Sequence, residues 1–156
     1  MDEKFVALKL ILDHLNVGQE INTVEQRMET QKAIYLAQSL GVDLGYSYGW
    51  YLKGPYSPSL TRDYYALHAM ADEGAGDRTL KQRVRVTLDQ LRQVIDHPAA
   101  PISRAHWLEL LASIHYLIHE SGYTPQRARD RIRATKAHLD QYFEQGMAAL
   151  EANALA

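Results

Sequence analysis

His115 and His119 stand four residues apart, the spacing that places two imidazoles on one helix face, as a pair of metal ligands requires. On the same wheel Glu109 and Glu120 point well away, and no further ligand set is evident. The expectation is therefore a pair of boundary histidines, with no metal and no cofactor. The chain has 0 cysteines, which removes thiolate zinc sites, iron–sulfur clusters, disulfides and Cys nucleophiles. Gly-x-Ser-x-Gly, Gly-x-Gly-x-x-Gly and the phosphate-binding loop are absent as well. The carboxylate pair Asp72-Glu73 sits in a polar stretch, where solvation accounts for it. No acid–base pair stands out, so the expectation is a protein without catalytic residues.

Two basic features remain. Lys81, Arg83 and Arg85 alternate with Gln82 and Val84, and as a strand they line one outer face. Arg129, Arg133 and Lys136 fall within about 60° on a helical wheel at ~100° per residue. Either set can meet phosphates, a task that suits the guanidinium fork. The net charge is -2, so nucleic-acid binding must come from such a local patch. A third feature is aromatic. Seven of the chain's 14 Phe, Trp and Tyr lie between Tyr46 and Tyr65. Tyrosine carries a polar tip on an apolar body and recurs at interfaces, which makes Tyr46, Trp50, Tyr51 and Tyr56 candidates for meeting a protein partner.

The elements that must carry these residues follow from period and caps. A chain of 156 residues is one domain. Phe5, Leu8, Leu12 and Leu15 predict a helix over 4–16, ended near Gly18. Thr23 and Gln26 form a capping box for a short helix, and a stronger helix follows from Glu29 to Leu40. Tyr46, Tyr48, Trp50 and Leu52 alternate with their neighbours, predicting a strand over 46–53. Gly54-Pro55-Tyr56-Ser57-Pro58 reads as a turn, with Ser57 as N-cap and Pro58 as first helical residue. That helix extends to about Ala71, and a flexible loop covers 72–77. Residues 80–86 fit a helix through Leu80, Val84, Leu88, Leu91 and Ile95, or a strand. A Thr87–Gln90 capping box and a Val86–Leu91 staple favour the strand, with a helix over 88–97. Ser103, Thr124 and Asp140 cap three further helices, the first bearing Trp107, Leu110, Leu111, Ile114 and Ile118. No run is long enough to span a membrane, and no leader peptide is evident, which points to the cytoplasm.

Several stretches together resemble a known family. Gln31-Lys32-Ala33-Ile34-Tyr35-Leu36, Gly41-Val42-Asp43-Leu44-Gly45-Tyr46, Tyr51-Leu52-Lys53-Gly54-Pro55-Tyr56-Ser57-Pro58-Ser59-Leu60 and Asp63 are similar to the YwgA-type family of bacteria and mobile elements. More loosely they resemble the Panacea domain associated with antitoxins. The match covers about residues 29–65. Leu110-Leu111-Ala112 and the Lys136 region are similar to the family's C-terminal half. The resemblance implies a compact, helix-dominated α+β domain of winged-helix type, with regulatory or defence-associated roles.

The expected architecture is a winged-helix-like core over 1–86, with a two- or three-stranded sheet and 80–86 as its wing. C-terminal helices from 87 to 156 pack on it. The expected function is a non-enzymatic module that binds a macromolecular partner in a mobile-element, toxin–antitoxin or phage-defence setting. Two other readings stay open: a winged-helix DNA-binding regulator, and an enzyme whose site is hidden from sequence.

Overall fold

A computed structural model of the chain describes residues 1–70 and 73–155; Ala71 and Asp72, assigned above to a helix end and a loop, lie outside them. Among the described residues the protein is a helix-dominated α+β domain. Its elements are α1 (Glu3–Leu15), α2 (Val24–Ser39), β1 (Gly49–Tyr51), β2 (Gly54–Tyr56), α3 (Pro58–Ala69), α4 (Gln82–Ile95), α5 (Arg104–His119), α6 (Pro125–Thr135), α7 (Ala137–Asp140) and α8 (Phe143–Ala152). None of these helices is long and apolar enough to cross a membrane.

Helix α5 is the axis. It packs on α2, α4, α6, α8 and β2. Every residue from Trp107 to His115 is buried. The expected single apolar stripe is thus a helix buried all round, the pattern of a core element. Trp107, Leu111 and Ile114 lie in its centre as expected, and Trp107 Nε1 donates to the Val94 carbonyl at 2.8 Å. All-round burial also takes Glu109, Ser113 and His115 out of water.

The predicted caps hold at four helix starts. Thr23 and Gln26 exchange both bonds of a capping box. Ser57, Ser103 and Thr124 accept from Leu60 N, His106 N and Arg127 N, and Pro58 and Pro125 occupy the first helical positions. That box opens one continuous α2 rather than a short helix before a second one.

Three expectations are corrected. The strand over 80–86 does not form: α4 begins at Gln82 and runs without a break through residue 86. The helical pattern wins because Leu88, Leu91, Val94 and Ile95 bury one continuous stripe, which Leu80 and Val84 extend onto the core. Among the described residues the sheet holds β1 and β2 alone, and no strand pairs with this segment. Thr87 is therefore no cap; its Oγ1 donates to the Arg83 carbonyl within the helix, and Val86 is exposed. Asp140 does not cap the last helix either. Tyr142 is at that position without a side-chain bond, and Asp140 faces Arg129 and Arg133.

The strand expected over 46–53 is shorter. Only Gly49–Tyr51 joins a ladder, paired antiparallel with Gly54–Tyr56 across the two-residue loop Leu52-Lys53. Two backbone amides before β1 are satisfied by a side chain instead of a ladder. Leu44 N and Tyr46 N donate to Gln38 Oε1 at 3.2 and 3.0 Å, and Gln38 Nε2 donates to the Tyr46 carbonyl at 3.1 Å. One amide does the work of a neighbouring strand.

Candidate functional site

The β1–β2 hairpin is clamped from below by buried polar groups. Gln31, two turns before Gln38 on α2, repeats the same device. Its Oε1 accepts from Ser57 N at 2.9 Å, and its Nε2 donates to the Ser57 carbonyl at 2.9 Å. Next to it, Lys32 Nζ donates to the Pro55 carbonyl at 2.7 Å. Lys136, between α6 and α7, donates to the Leu52 carbonyl at 2.7 Å and to Glu109 Oε2 at 3.0 Å. Both lysines are among the most buried side chains. Burial pushes the Lys32 ammonium down to about 7, with the positive charges of Lys136 and Lys53 adding to the effect and Glu109 opposing it. Burial lowers Lys136 too, again against Glu109. Two buried lysines share one buried carboxylate, so this region carries a net positive field when both are protonated.

Gly54 explains the sharpness of the hairpin. Its φ is +94°, and a Cβ there would meet Ser113 Oγ at 2.4 Å. Only glycine lets β2 lie this close to α5.

Above the clamp, a groove of about 420 Å³ opens between the hairpin, α2 and α3. Tyr51, Tyr56, Tyr64 and Tyr65 line it together with the cations Arg27, Lys32 and Lys53, and no Asp or Glu lines it among the described residues. Tyr51 and Tyr65 are 50% and 49% exposed, so ring faces are open to a ligand. Tyr51 and Tyr56 meet edge to face with centroids 5.2 Å apart, and Thr61 Oγ1 donates to the Tyr56 hydroxyl at 2.6 Å. The floor is rigid, because Gln31 Nε2 also donates to Thr61 Oγ1 at 2.9 Å. Such a site offers aromatic faces for a planar base and cations for phosphate oxygens.

The aromatic candidates divide. Tyr51 and Tyr56 reach the groove. Tyr46 is buried and its hydroxyl donates to Asp63 at 2.8 Å. Trp50 packs on Tyr116 and against the Lys136 ammonium. The basic candidates divide too. Lys81, Arg83 and Arg85 are exposed, but Lys81 is the residue just before α4 and the arginines lie in its first turn, rather than on a wing. Arg129 pairs with Glu144 at 2.7 Å and Asp140 at 3.7 Å, and Arg133 with Asp140 at 3.2 Å. Lys136 leaves their shared face altogether, because α6 ends at Thr135 and the Lys136 backbone turns away at φ -141°. His115 and His119 stack at 4.3 Å. Burial, with His119 adding, takes His115 down to about 4, and its Nδ1 bonds the Tyr35 hydroxyl at 2.7 Å.

Sequence reasoning missed Lys32, Gln31, Arg27 and Glu109. Glu109 had a signal: a carboxylate inside a continuous apolar face needs a buried cation. Lys32 and Gln31 had one also, since both sit amid Ala33, Ile34, Leu36 and Ala37.

No family model matches the chain, and no solved structure matches it. A curated protein does. The chain is 30% identical over 112 residues to a DNA ADP-ribosyl glycohydrolase of Thermus aquaticus, a match that covers 62% of this chain and 31% of that protein. The matched part thus spans about a third of the relative's length. This similarity to a hydrolase overturns the expectation of a purely non-enzymatic module.

Proposed function

We propose that this chain acts on DNA carrying ADP-ribose, and that the nucleotide of the modification sits in the tyrosine-lined groove. The observation that carries this reading is the composition of the groove: four tyrosines and three cations around about 420 Å³, with no acid among the described lining residues. An adenine ring stacks on Tyr51 or Tyr65, and the diphosphate lies toward Arg27 and Lys53. Base–aromatic stacking tolerates approach from a flexible strand. The name of the relative supplies the reaction class. In a glycosidic hydrolysis a water oxygen bonds to the anomeric carbon, the bond from that carbon to the DNA breaks, and the departing DNA atom takes a proton. Lys32 lines the groove, and burial sets its ammonium near 7, where an amine can hold or release a proton at working pH.

The test pairs binding with turnover. Calorimetry with ADP-ribose, and release of ADP-ribose from a modified single-stranded oligonucleotide followed by chromatography, are run on the protein and on Tyr51→Ala and Lys53→Ala. Both residues are exposed, so the fold is retained. Binding that weakens in both variants, by roughly tenfold in Tyr51→Ala, the usual worth of one stacked base, supports the groove. Absence of both binding at millimolar ADP-ribose and release from the oligonucleotide overturns it.

A further inference from the structure

On the other side of the clamp, three metal-binding side chains converge that no sequence motif announced. His106 and Glu109 are three residues apart on α5, hence on one face. His138 comes from the first turn of α7. One ligand atom from each lies within 4.8 Å of the others. His138 Nε2 is 3.5 Å from Glu109 Oε1, and the two imidazole rings have centroids 5.2 Å apart.

From these distances we infer that His106, Glu109 and His138 form a binding site for a divalent first-row cation, with zinc as the best fit. Two imidazoles and one carboxylate are a recurrent set for zinc, which leaves a further position for water or a ligand oxygen. Zinc–ligand bonds of about 2.0–2.1 Å put tetrahedral ligand atoms roughly 3.3 Å apart. The His138–Glu109 separation of 3.5 Å already meets that figure. The wider separations close by rotation of the imidazoles, since His138 is exposed and His106 half-buried.

The carboxylate is also held in the right way. Lys136 Nζ takes Oε2 and leaves Oε1 turned to His138. A fixed partner on the far oxygen orients a metal ligand. The same ammonium repels the metal, so affinity falls in the micromolar rather than the nanomolar range. The site is independent of the tyrosine groove: neither histidine nor Glu109 lines it.

The experiment titrates zinc into chelator-stripped protein by calorimetry and follows cobalt substitution by visible absorption. The expected result is one zinc per chain and intense cobalt bands of low coordination number. His106→Ala and His138→Ala each weaken zinc by roughly tenfold or more and abolish the bands. His97→Ala, a control at an exposed histidine on the loop after α4, changes neither. Failure of zinc to bind at millimolar concentration overturns the inference. So does binding that both ligand variants retain, which would leave His138 only as a counter-ion to Glu109. ADP-ribose binding is measured on the same variants, and its survival in them separates this site from the groove.

Discussion

Lys32 and Lys136 differ from Arg83 and Arg85 in almost every physical respect except sign of charge. The two lysines are buried, spaced far apart in sequence, and each ends on a hairpin carbonyl. The two arginines are close in sequence and both exposed, but two residues apart on α4 they point about 200° away from each other around the helix. Clustering in sequence drew attention to the arginines. Yet clustered like charges are what a solvated face tolerates, whereas a lone cation in an apolar run must find a buried partner. Lys136 stands in sequence with the basic set of Arg129 and Arg133 and leaves it only because α6 ends at Thr135, so burial rather than spacing along the chain separates the charges that shape the site from those on the surface.

The contrast breaks most easily at Lys136. Lys136→Met leaves Glu109 buried without its ammonium and should destabilise by about 3–5 kcal/mol, the usual result of removing one partner from a buried pair. Urea unfolding reads this directly, and a loss under 1 kcal/mol, on the order of an exposed pair, would put Lys136 with the surface charges.

Lys32 gives the next largest effect, through pH. Its ammonium titrates near 7 in the fold against 10.5 when free. Between those values the unfolded chain binds the extra proton, so stability rises as pH increases from 7 toward 10. A gain of about 2–3 kcal/mol is expected between pH 7 and 9.5, and Lys32→Met should flatten it. A wild-type profile already flat in that window would show Lys32 to be solvated.

His115 sharpens the comparison at acid pH. Its folded value of about 4 lies below the ordinary 6.5. Stability is complete above 6.5 and is lost as pH falls toward 4, by about 2–3 kcal/mol. His115→Gln should shift the acid transition to lower pH, as circular dichroism against pH would record.

The smallest effect belongs to the arginines. Arg83→Glu with Arg85→Glu should change stability by less than about 0.5 kcal/mol, as exposed substitutions do, and leave ADP-ribose affinity untouched. A large loss of affinity in calorimetry would move the nucleotide from the hairpin groove to α4.

How much was legible follows from which forces were local. Ser57, Ser103 and Thr124 act within one turn of themselves, and their caps were readable. Trp107, Leu111 and Ile114 were readable because burial follows helical period. The 80–86 segment was not. Its two periods are nearly equal locally, and the decision came from the stripe it continues through Leu88 and Leu91. The strand over 46–53 was half right because Gln38 replaces a ladder, which no period records. In the site, Tyr51 and Tyr56 were singled out but not their role. Lys32, Glu109 and Lys136 come together only because α5 passes under the hairpin, over separations of 27 residues from Glu109 to Lys136 and 84 from Leu52 to Lys136.

That last separation bears on the order in which the protein matures on the ribosome. Leu52 and Lys53 leave the exit tunnel long before Lys136, and at about 5–20 residues per second the interval is several seconds. Throughout it the hairpin tip lacks the ammonium that fastens the Leu52 carbonyl, and Glu109 lacks its counter-charge once α5 has emerged. The groove wall can therefore set only after the C-terminal helices arrive. A nascent chain stalled before residue 136 should expose Tyr51 and Leu52 on a loose hairpin, a natural target for a holding chaperone.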